Sequence, residues 1–329
     1  MENMNIGKNK IEKLNQAVKE YINDGDHISI GGFTINRNPM ACVHEIIRQK
    51  TKDFHLYAHS NGQGVDELVG AGLVKRIEIA YSGNGRFAST CFCFKRMAEQ
   101  GFLEVEDYSN FQMALRFLAG SMGIPFIPTY SSLGTDIIKK WGFDLQLREH
   151  NSRIAKAKVV VINNPFSKDH ARDQVVLVPA ISPDITILHA QKADIEGCTR
   201  IEGLTFADVE QAKASKHVIV TCEEIVEKDE LKRNPQLNQI PSFCVDAVVH
   251  VPMGAYPTAC FNYYDYDPVF FEQYKKRALD KDKFAQYLDD YIFATRDHEG
   301  FLEKTLGSKR DHDIKADAKT GYSIKMKRK

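Results

Sequence analysis

The sequence predicts an α/β fold in which an open, mostly parallel sheet carries helices on both faces. Short apolar segments rich in β-branched residues alternate along the chain with amphipathic helical segments, and this order is typical of a parallel sheet. Several predicted strands end in small polar residues, which is where ligands bind in such sheets. The 329 residues are 43% apolar and 27% charged, as expected for a globular protein with a large core.

The N-terminal half begins with a predicted helix, because Leu14, Val18 and Ile22 recur on one helical face. Beyond it, segments with strand-like alternation are each followed by a helical pattern. The predicted strands are 27–30, 54–58, 75–81 and 102–105, and the predicted helices are 40–48, 65–69, 87–100 and 111–122.

The C-terminal half continues this pattern. Residues 158–162 are a nearly continuous apolar run, which predicts a strand buried on both faces. Because no linker or repeat is visible, we expect one domain over residues 1–329, of which 268–329 form a mainly helical, strongly charged C-terminal extension. The remaining predicted elements are strands at 174–178, 185–190, 216–220 and 245–251, and a helix at 206–215.

Composition argues against several classes of function. Lys plus Arg equals Asp plus Glu, so the formal net charge is zero and no overall positive field favours nucleic acid or an anionic membrane. No apolar run suits a bilayer span or an export signal. Seven cysteines, without a Cys-x-x-Cys pair or zinc-like spacing, predict neither a disulfide framework nor a metal site. We expect a cytoplasmic protein whose basic tail, 325–329, is solvated.

The loop after the first predicted strand is the most informative segment. Gly31 and Gly32 lack a Cβ, so the chain can turn there and bring backbone N–H groups close to a ligand. Asn38 is a candidate cap for the next helix and Pro39 suits its first turn, so the helix N-terminus would face this loop. Such an arrangement can bind an anion or a developing oxyanion. A Gly-Gly pair by itself more often only makes the turn, and the dinucleotide and phosphate-loop fingerprints are absent.

The segment 26–33, followed by Pro39, resembles the first signature of the family I coenzyme A transferases. That signature usually ends in Gly-x-Pro, whereas this chain has Arg37-Asn38-Pro39. The arginine variant is similar to the alpha subunits of glutaconate CoA-transferases, whose substrates are dicarboxylic acids.

Later segments resemble the same family in the same order, so the likeness extends from about Gly25 to about Gly307. Four of them are similar to the amino-terminal half of 3-oxoacid CoA-transferases: 60–66, 81–84, 101–106 and 123–128. Those farther along are similar to the glutaconate-type alpha subunits: 162–166, 187–191, 220–225, 244–249, 254–257 and 264–267.

The resemblance implies catalysis by a covalent relay. In this family a glutamate carboxylate attacks the acyl-CoA, and the released CoA thiolate then forms an enzyme thioester that passes CoA to the incoming acid. The glutamate lies in a Ser-Glu-Asn-Gly motif of the beta subunit, and this chain has no such motif. We therefore expect the alpha subunit of a hetero-oligomeric CoA-transferase, with coenzyme A as a substrate and no other cofactor. Its expected role is transfer between acetyl-CoA, or a similar acyl-CoA, and a dicarboxylic acid such as glutaconate, as in amino-acid fermentation.

The resemblance also implies site residues. The backbone amides of Gly31 and Gly32 and the side chain of Asn110 are expected to stabilise the oxyanion, while the nucleophile comes from the partner. The family usually has Gln at the position of Asn110. Asn keeps the amide donor but is one methylene shorter, and an equally good interpretation is that Asn110 caps the following helix.

A diacid substrate needs a cation, and Arg37 is expected to bind its distal carboxylate in a bidentate contact. The alternative is a surface arginine near a helix start, and Arg86 is a further candidate for the same task. His27, His59 and His189 are expected to be structural. The other expected substrate-binding residues lie in the loops at three strand ends: Phe33, Thr34, Ser60, Asn61 and Asn84.

Two other functions stay open at this point. An enzyme of the same fold could act on CoA thioesters differently, as a hydrolase or a decarboxylase. A catalytically silent, metabolite-binding protein is the alternative from another class, because fold alone does not fix function.

Overall fold

The computed structural model describes residues 7–169 and 173–326 of the chain. Residues 1–6 and the last three residues of the basic tail lie outside this part. The described strands are β1 (His27–Ile30), β2 (Phe54–Asn61), β3 (Val74–Ser82), β4 (Glu104–Asp107), β5 (Phe126–Thr129), β6 (Val160–Asn163), β7 (Gln174–Pro179), β8 (Ile185–Ala193), β9 (Thr199–Arg200), β10 (His217–Ile225) and β11 (Ala247–His250).

Helices separate most of these strands, as the sequence predicts. No helix of the described residues is both long and apolar enough to cross a membrane. The α-helices are α1 (Leu14–Tyr21), α2 (Met40–Gln49), α3 (Gln63–Gly70), α4 (Phe92–Glu99), α5 (Asn110–Ser121), α6 (Leu145–His150), α7 (Asp208–Ala214), α8 (Lys228–Arg233), α9 (Pro268–Ala278), α10 (Lys281–Tyr287), α11 (His298–Thr305) and α12 (Gly307–Ile314).

The main sheet confirms the predicted fold class. Its strands are ordered β11-β10-β8-β1-β2-β3-β4, all parallel, and the short β9 pairs antiparallel with β8. Ile28 of β1 pairs with Leu56 of β2 on one side and with Ile185 of β8 on the other. The strand that leads into the Gly31-Gly32 loop is therefore central, and the loops after β2 and β3 lie at the same edge.

Helices cover both faces of this sheet. Consecutive residues of β2 face opposite sides: Leu56 packs in the core with α1, α2 and α3, whereas Tyr57 packs with Phe117 of α5. Helix α7 lies beside α5 on the second face, where Ala212 contacts the core around Leu188.

The C-terminal helices pack onto the first face through aromatic side chains. The Tyr274 hydroxyl donates to Asp66 Oδ2 at 2.8 Å, and the Tyr287 hydroxyl donates to Glu67 Oε1 at 3.0 Å. Gly70 lets Phe284 approach closely, since a Cβ on Gly70 would lie 2.5 Å from the Phe284 ring. The extension thus shares its core with α3.

The run 158–162 is not the strand buried on both faces that its composition predicts. Strand β6 is exposed, and it belongs to a separate antiparallel sheet in the order β5-β7-β6. Val176 and Val178 of β7 face the core around α5, but the outward side chains are also apolar. Antiparallel sheets usually present polar residues to water, so a composition-based rule mistakes this strand for a core strand. The outer face, with its flanks, includes Phe126, Tyr130, Val160, Ile162 and Phe166.

Candidate active site

Three loops meet at the carboxyl edge of the main sheet, as the sequence predicts. The Asn61 amide nitrogen donates to the Gly31 carbonyl at 2.9 Å, and the Thr34 N–H donates to the Ser60 carbonyl at 2.9 Å. Gly62 touches both neighbouring loops, because a Cβ there would lie 2.1 Å from Asn84 Oδ1 and 2.8 Å from the Thr34 oxygen. The ends of β1, β2 and β3 therefore form one surface.

The backbone amides of Gly31 and Gly32 are not free to stabilise an oxyanion. The Gly31 N–H donates to the Ile187 carbonyl at 3.0 Å, and the Gly32 N–H donates to Asp208 Oδ1 at 2.9 Å. Both residues are buried. Gly32 has φ +82°, and a Cβ on it would lie 2.5 Å from the Arg37 carbonyl oxygen. These glycines shape the loop, and the predicted catalytic role of their amides is corrected accordingly.

Arg37 is buried inside the loop rather than presented to a substrate. Its Nη1 donates to Asp208 Oδ2 at 2.6 Å and to the His189 carbonyl at 3.0 Å, while its Nη2 donates to the Leu204 carbonyl at 2.9 Å. Only 3% of its side chain is exposed. The guanidinium is buried and already bound to a carboxylate and two carbonyls, so it is not accessible to a diacid. The predicted role as a substrate ligand therefore does not agree with this geometry.

The segment 204–208 holds the loop in a strained conformation. Phe206 stacks on Phe33, with ring centroids 4.8 Å apart and an interplanar angle of 11°. Thr34, Arg37 and Phe206 all have φ near +50°, a backbone conformation that residues other than glycine rarely adopt. Strain of this kind clusters at functional sites, where neighbouring contacts enforce it.

Asp208 is the residue of this site that sequence reasoning missed. It begins α7, where an acidic residue normally only complements the helix dipole. Burial raises the pKa of the Asp208 carboxyl, and the adjacent Arg37 opposes that shift. A buried arginine needs a carboxylate partner, but a single sequence does not indicate which acidic residue provides it.

Asn110 is the exposed amide of the site, and it does not cap α5. The cap is Ser109, whose hydroxyl accepts the Gln112 N–H while the Gln112 side chain accepts the Ser109 N–H. The Ser60 hydroxyl donates to Asn110 Oδ1 in a short hydrogen bond. Among the described residues the Asn110 amide nitrogen has no acceptor. Because the residue is exposed, both of its N–H groups are available to a ligand or a partner chain.

His59, which the sequence assigns a structural role, contacts two of these groups. Its Nε2 donates to the Asn110 carbonyl at 3.0 Å, and its ring lies 5.4 Å from that of Phe33. Burial lowers the pKa of His59, which favours the neutral imidazole. Its Nδ1 is buried and has no partner in the described residues.

Three asparagine side chains of these loops turn inward instead of facing a ligand. Asn61 Oδ1 accepts the Val65 N–H at 3.1 Å, and Asn38 Oδ1 accepts the Gly64 N–H at 3.1 Å instead of capping α2. Asn84 donates to Gln63 Oε1 at 2.9 Å. These residues, like Ser60, are buried, so the predicted direct contact of Ser60, Asn61 and Asn84 with substrate does not fit this geometry.

The accessible predicted residues are Phe33, Thr34, Asn110 and Arg86. The Arg86 guanidinium lies over the rings of Phe87 and Tyr266, at 5.0 and 5.7 Å from their centroids. It borders a cavity of about 440 Å³. The same aromatic cluster contains Ile35, so Arg86 lies beside the loop that follows β1.

One group of possible metal ligands lies beneath the loop: His189, Glu223 and Cys260. Glu223 Oε1 contacts His189 Nε2 at 2.7 Å and accepts the Tyr264 hydroxyl at 2.6 Å, while Oε2 accepts the Met253 N–H at 2.8 Å. His189 Nδ1 contacts Thr221 Oγ1 at 2.8 Å. Because His189 and Glu223 bond to each other and to neighbouring protein groups, they form a buried hydrogen-bond network, which supports Arg37 through the His189 carbonyl.

Comparison with protein families matches residues 11–251 to the family described as coenzyme A transferase. The A subunit of glutaconate CoA-transferase from Acidaminococcus fermentans is 37% identical over 317 residues, which cover 96% of this chain and 98% of that protein. The A subunit of 3-oxoadipate CoA-transferase from Pseudomonas knackmussii is 33% identical over 299 residues, covering 90% of this chain and 98% of its own.

Two solved structures extend these similarities to the fold. The crystal structure of glutaconate coenzyme A-transferase from Acidaminococcus fermentans matches with a TM-score of 0.91 at 37% identity, over 96% of this chain and 98% of the other. A variant of the decarboxylase AibA/AibB matches with a TM-score of 0.65 at 30% identity, over 91% of this chain and 99% of the other.

Proposed function

The chain belongs to the coenzyme A transferase family, and we propose that it acts as the alpha subunit of a heteromeric enzyme that moves CoA between an acyl-CoA and a dicarboxylic acid such as glutaconate. The observation that carries this proposal is the near full-length similarity to the A subunit of glutaconate CoA-transferase, with a TM-score of 0.91 to the crystal structure. Coenzyme A enters as a substrate, and no other cofactor is part of the proposal.

The nucleophile is proposed to be a glutamate of the beta subunit. The carboxylate that reaches the loop in this chain, Asp208, is fully buried and bound to Gly32 and Arg37, so it has no oxygen available for attack. A partner that covers the exposed side of Asn110 could place a carboxylate there. The names of the two relatives, each the A subunit of its transferase, support such a partner.

The reaction runs through anhydrides and an enzyme thioester. The partner's glutamate attacks the acyl-CoA carbonyl and expels CoA thiolate, which leaves a mixed anhydride. The thiolate then attacks the glutamyl carbonyl, releases the first acid and forms the enzyme thioester. The second acid displaces CoA thiolate from this thioester and forms a new anhydride with the glutamate. The thiolate then attacks the carbonyl that comes from the second acid, which yields the new acyl-CoA and releases the glutamate.

Each of these steps places negative charge on a carbonyl oxygen. Asn110 is the group that this chain offers for that oxygen, because its amide nitrogen keeps both N–H bonds available. Removing one such donor typically costs about two to three decades of rate. Since Gly31 and Gly32 donate elsewhere, the remaining donors are proposed to come from the partner.

Arg86 replaces Arg37 as the proposed anion-binding residue. Its side chain is exposed, and its guanidinium is held over two aromatic rings beside the loop. Arginine in such a position can bind a carboxylate of the acid or a phosphate of CoA. We further propose a cytoplasmic location, because all seven cysteines are thiols.

The test is reconstitution. The purified chain is assayed for CoA transfer from acetyl-CoA to glutaconate, alone and with a beta chain that carries Ser-Glu-Asn-Gly. We expect no transfer by the chain alone and full activity of the complex. Transfer at full rate by the chain alone would overturn the proposal.

A second candidate function is decarboxylation, which the similarity to the decarboxylase AibA/AibB favours. It predicts release of carbon dioxide from a carboxyacyl-CoA by the reconstituted complex, without exchange of CoA onto added acetate. Product analysis by mass spectrometry separates the two functions.

A further inference from the structure

Asn110 is held at both of its carbonyl oxygens by consecutive residues at the end of β2. His59 Nε2 donates to the main-chain oxygen at 3.0 Å, and the Ser60 hydroxyl donates to the side-chain oxygen Oδ1. An amide side chain has one acceptor end and one donor end, and rotation about its last bond exchanges them. Here the Ser60 hydroxyl donates to Oδ1, which leaves the donor end of the Asn110 amide without a partner among the described residues.

The two hydrogen bonds that His59 and Ser60 donate to Asn110 form a clamp, and further hydrogen bonds surround it. The Ser60 carbonyl accepts the Thr34 N–H at 2.9 Å, so Ser60 lies between the strained loop and Asn110. On the other side, Ser109 closes the first turn of α5 with Gln112 and contacts Ser131 Oγ at 3.0 Å. Because Ser60 is fully buried, its hydroxyl acts on a ligand only through Asn110.

His59 contributes to the same clamp as a hydrogen-bond donor. A carbonyl oxygen can only accept, so Nε2 carries a proton and donates it to the Asn110 carbonyl. Burial lowers the pKa of the imidazole. The ring packs against Phe33, whose own ring is stacked on Phe206. The main chain of Asn110 is thereby tied to the loop that follows β1.

We propose that Ser60 and His59 are positioning residues of Asn110: Ser60 holds the side-chain amide by its oxygen, so that the amide donates to the oxyanion instead of presenting Oδ1 to it, and His59 holds the main chain that carries this side chain. The wrong orientation would direct an acceptor oxygen at developing negative charge, which opposes catalysis. The catalytic part of this inference rests on the proposed function, whereas the orientation of the amide does not.

The kinetic test is a double-mutant cycle in the reconstituted complex. Ser60→Ala is expected to lower kcat about tenfold, the typical value of one hydrogen bond, with a smaller change in KM. In an Asn110→Ala background the same substitution should have no further effect, because the group that Ser60 orients is gone. Equal losses in both backgrounds would overturn the proposal.

A matched control is Ser82→Ala, which removes a buried hydroxyl at the corresponding end of β3. Among the described residues no hydrogen bond joins Ser82 to Asn110, so any loss that the substitution causes should be the same with and without the Asn110 side chain. Coupling of Ser82 to Asn110 as strong as that of Ser60 would also contradict the proposal.

A second measurement is independent of any activity. In the isolated chain labelled with ¹⁵N-asparagine, the side-chain NH₂ signals of Asn110 are identified by their loss in Asn110→Ala. Their heteronuclear NOE should indicate an ordered amide in the wild type and a mobile one in Ser60→Ala. Equal mobility in both would refute the claim that Ser60 holds the amide, even if the complex proved to be a decarboxylase.

Discussion

Arg37 and Asp208 form a buried ion pair in which Nη1 and Oδ2 are 2.6 Å apart. The same carboxylate accepts the Gly32 N–H through its other oxygen. A single acidic side chain at the start of α7 thus closes the loop after β1 at two points. The pair is a scaffold for the site, and this explains why an arginine that resembles a substrate ligand in sequence is inaccessible.

Asp208→Ala should destabilise the isolated chain strongly. It leaves the Arg37 charge buried without a partner and the Gly32 N–H without an acceptor, and breaking a buried pair in this way costs about 3–5 kcal/mol. Urea unfolding measures the loss. The control is Asp290→Ala, which breaks a partly exposed pair with Arg277 and should cost less than about 1 kcal/mol. Similar costs for the two variants would mean that the pair does not hold the loop.

Gly32→Ala should cost more stability than Gly72→Ala. Both glycines have positive φ, +82° and +74°, so both substitutions carry backbone strain of about 1–2 kcal/mol. Nothing lies within 4 Å of a Cβ on Gly72, whereas a Cβ on Gly32 meets the Arg37 carbonyl oxygen at 2.5 Å. The difference between the two unfolding free energies isolates the clash. Equal values would show that the loop relaxes freely.

Asn110→Asp should impair the complex more than Asn110→Ala does. The alanine variant only lacks a donor, which costs about two to three decades in kcat. The aspartate has the same shape and can still accept from Ser60, but it directs a negative oxygen at the oxyanion. Steady-state kinetics give the order, and Gln146→Glu, an exposed change on α6, should leave the rate unaltered. An aspartate variant faster than the alanine variant would exclude Asn110 as a donor.

Asp66 should make stability depend on pH. Burial raises its pKa from 3.8 to about 6 in the folded chain, although the Phe94 N–H and the Tyr274 hydroxyl bond to it. Between these two values the folded state binds more protons than the unfolded state, so stability falls as pH rises and stays low above the folded pKa.

Asp66→Asn should therefore gain stability relative to the wild type as pH rises from about 4 to about 7, by up to about 3 kcal/mol. Urea unfolding at several pH values measures the difference. Asp136→Asn is an exposed control that should give a nearly constant difference. A stability gain of Asp66→Asn that grows as pH falls would contradict the predicted direction of the pH dependence.

The fold was predictable because its signals are local. Alternation in β1, small polar residues after β2 and β3, and helical spacing between them are enough to indicate a parallel sheet with a ligand edge. The convergence of the loops at Gly31, Ser60 and Asn84 follows from that topology.

The roles inside the loops were not predictable in the same way, since they depend on distant partners. Gly32 and Arg37 bond to Asp208, more than 170 positions away in the chain. Asn110 and Ser60 meet only after β2 and α5 have packed together. Composition wrongly predicts a buried β6, because it reports apolar content and not whether another layer covers the strand.

The outer face of the β5-β7-β6 sheet has a practical consequence for handling this chain. Phe166 is 94% exposed, and Phe126 and Val160 are each nearly half exposed beside it. A surface of this kind promotes self-association in concentrated solution, even when every residue is correctly folded. Losses during purification would then reflect self-association of folded protein and not misfolding. A charged substitution on that face separates the two causes, because it should reduce only the losses due to self-association.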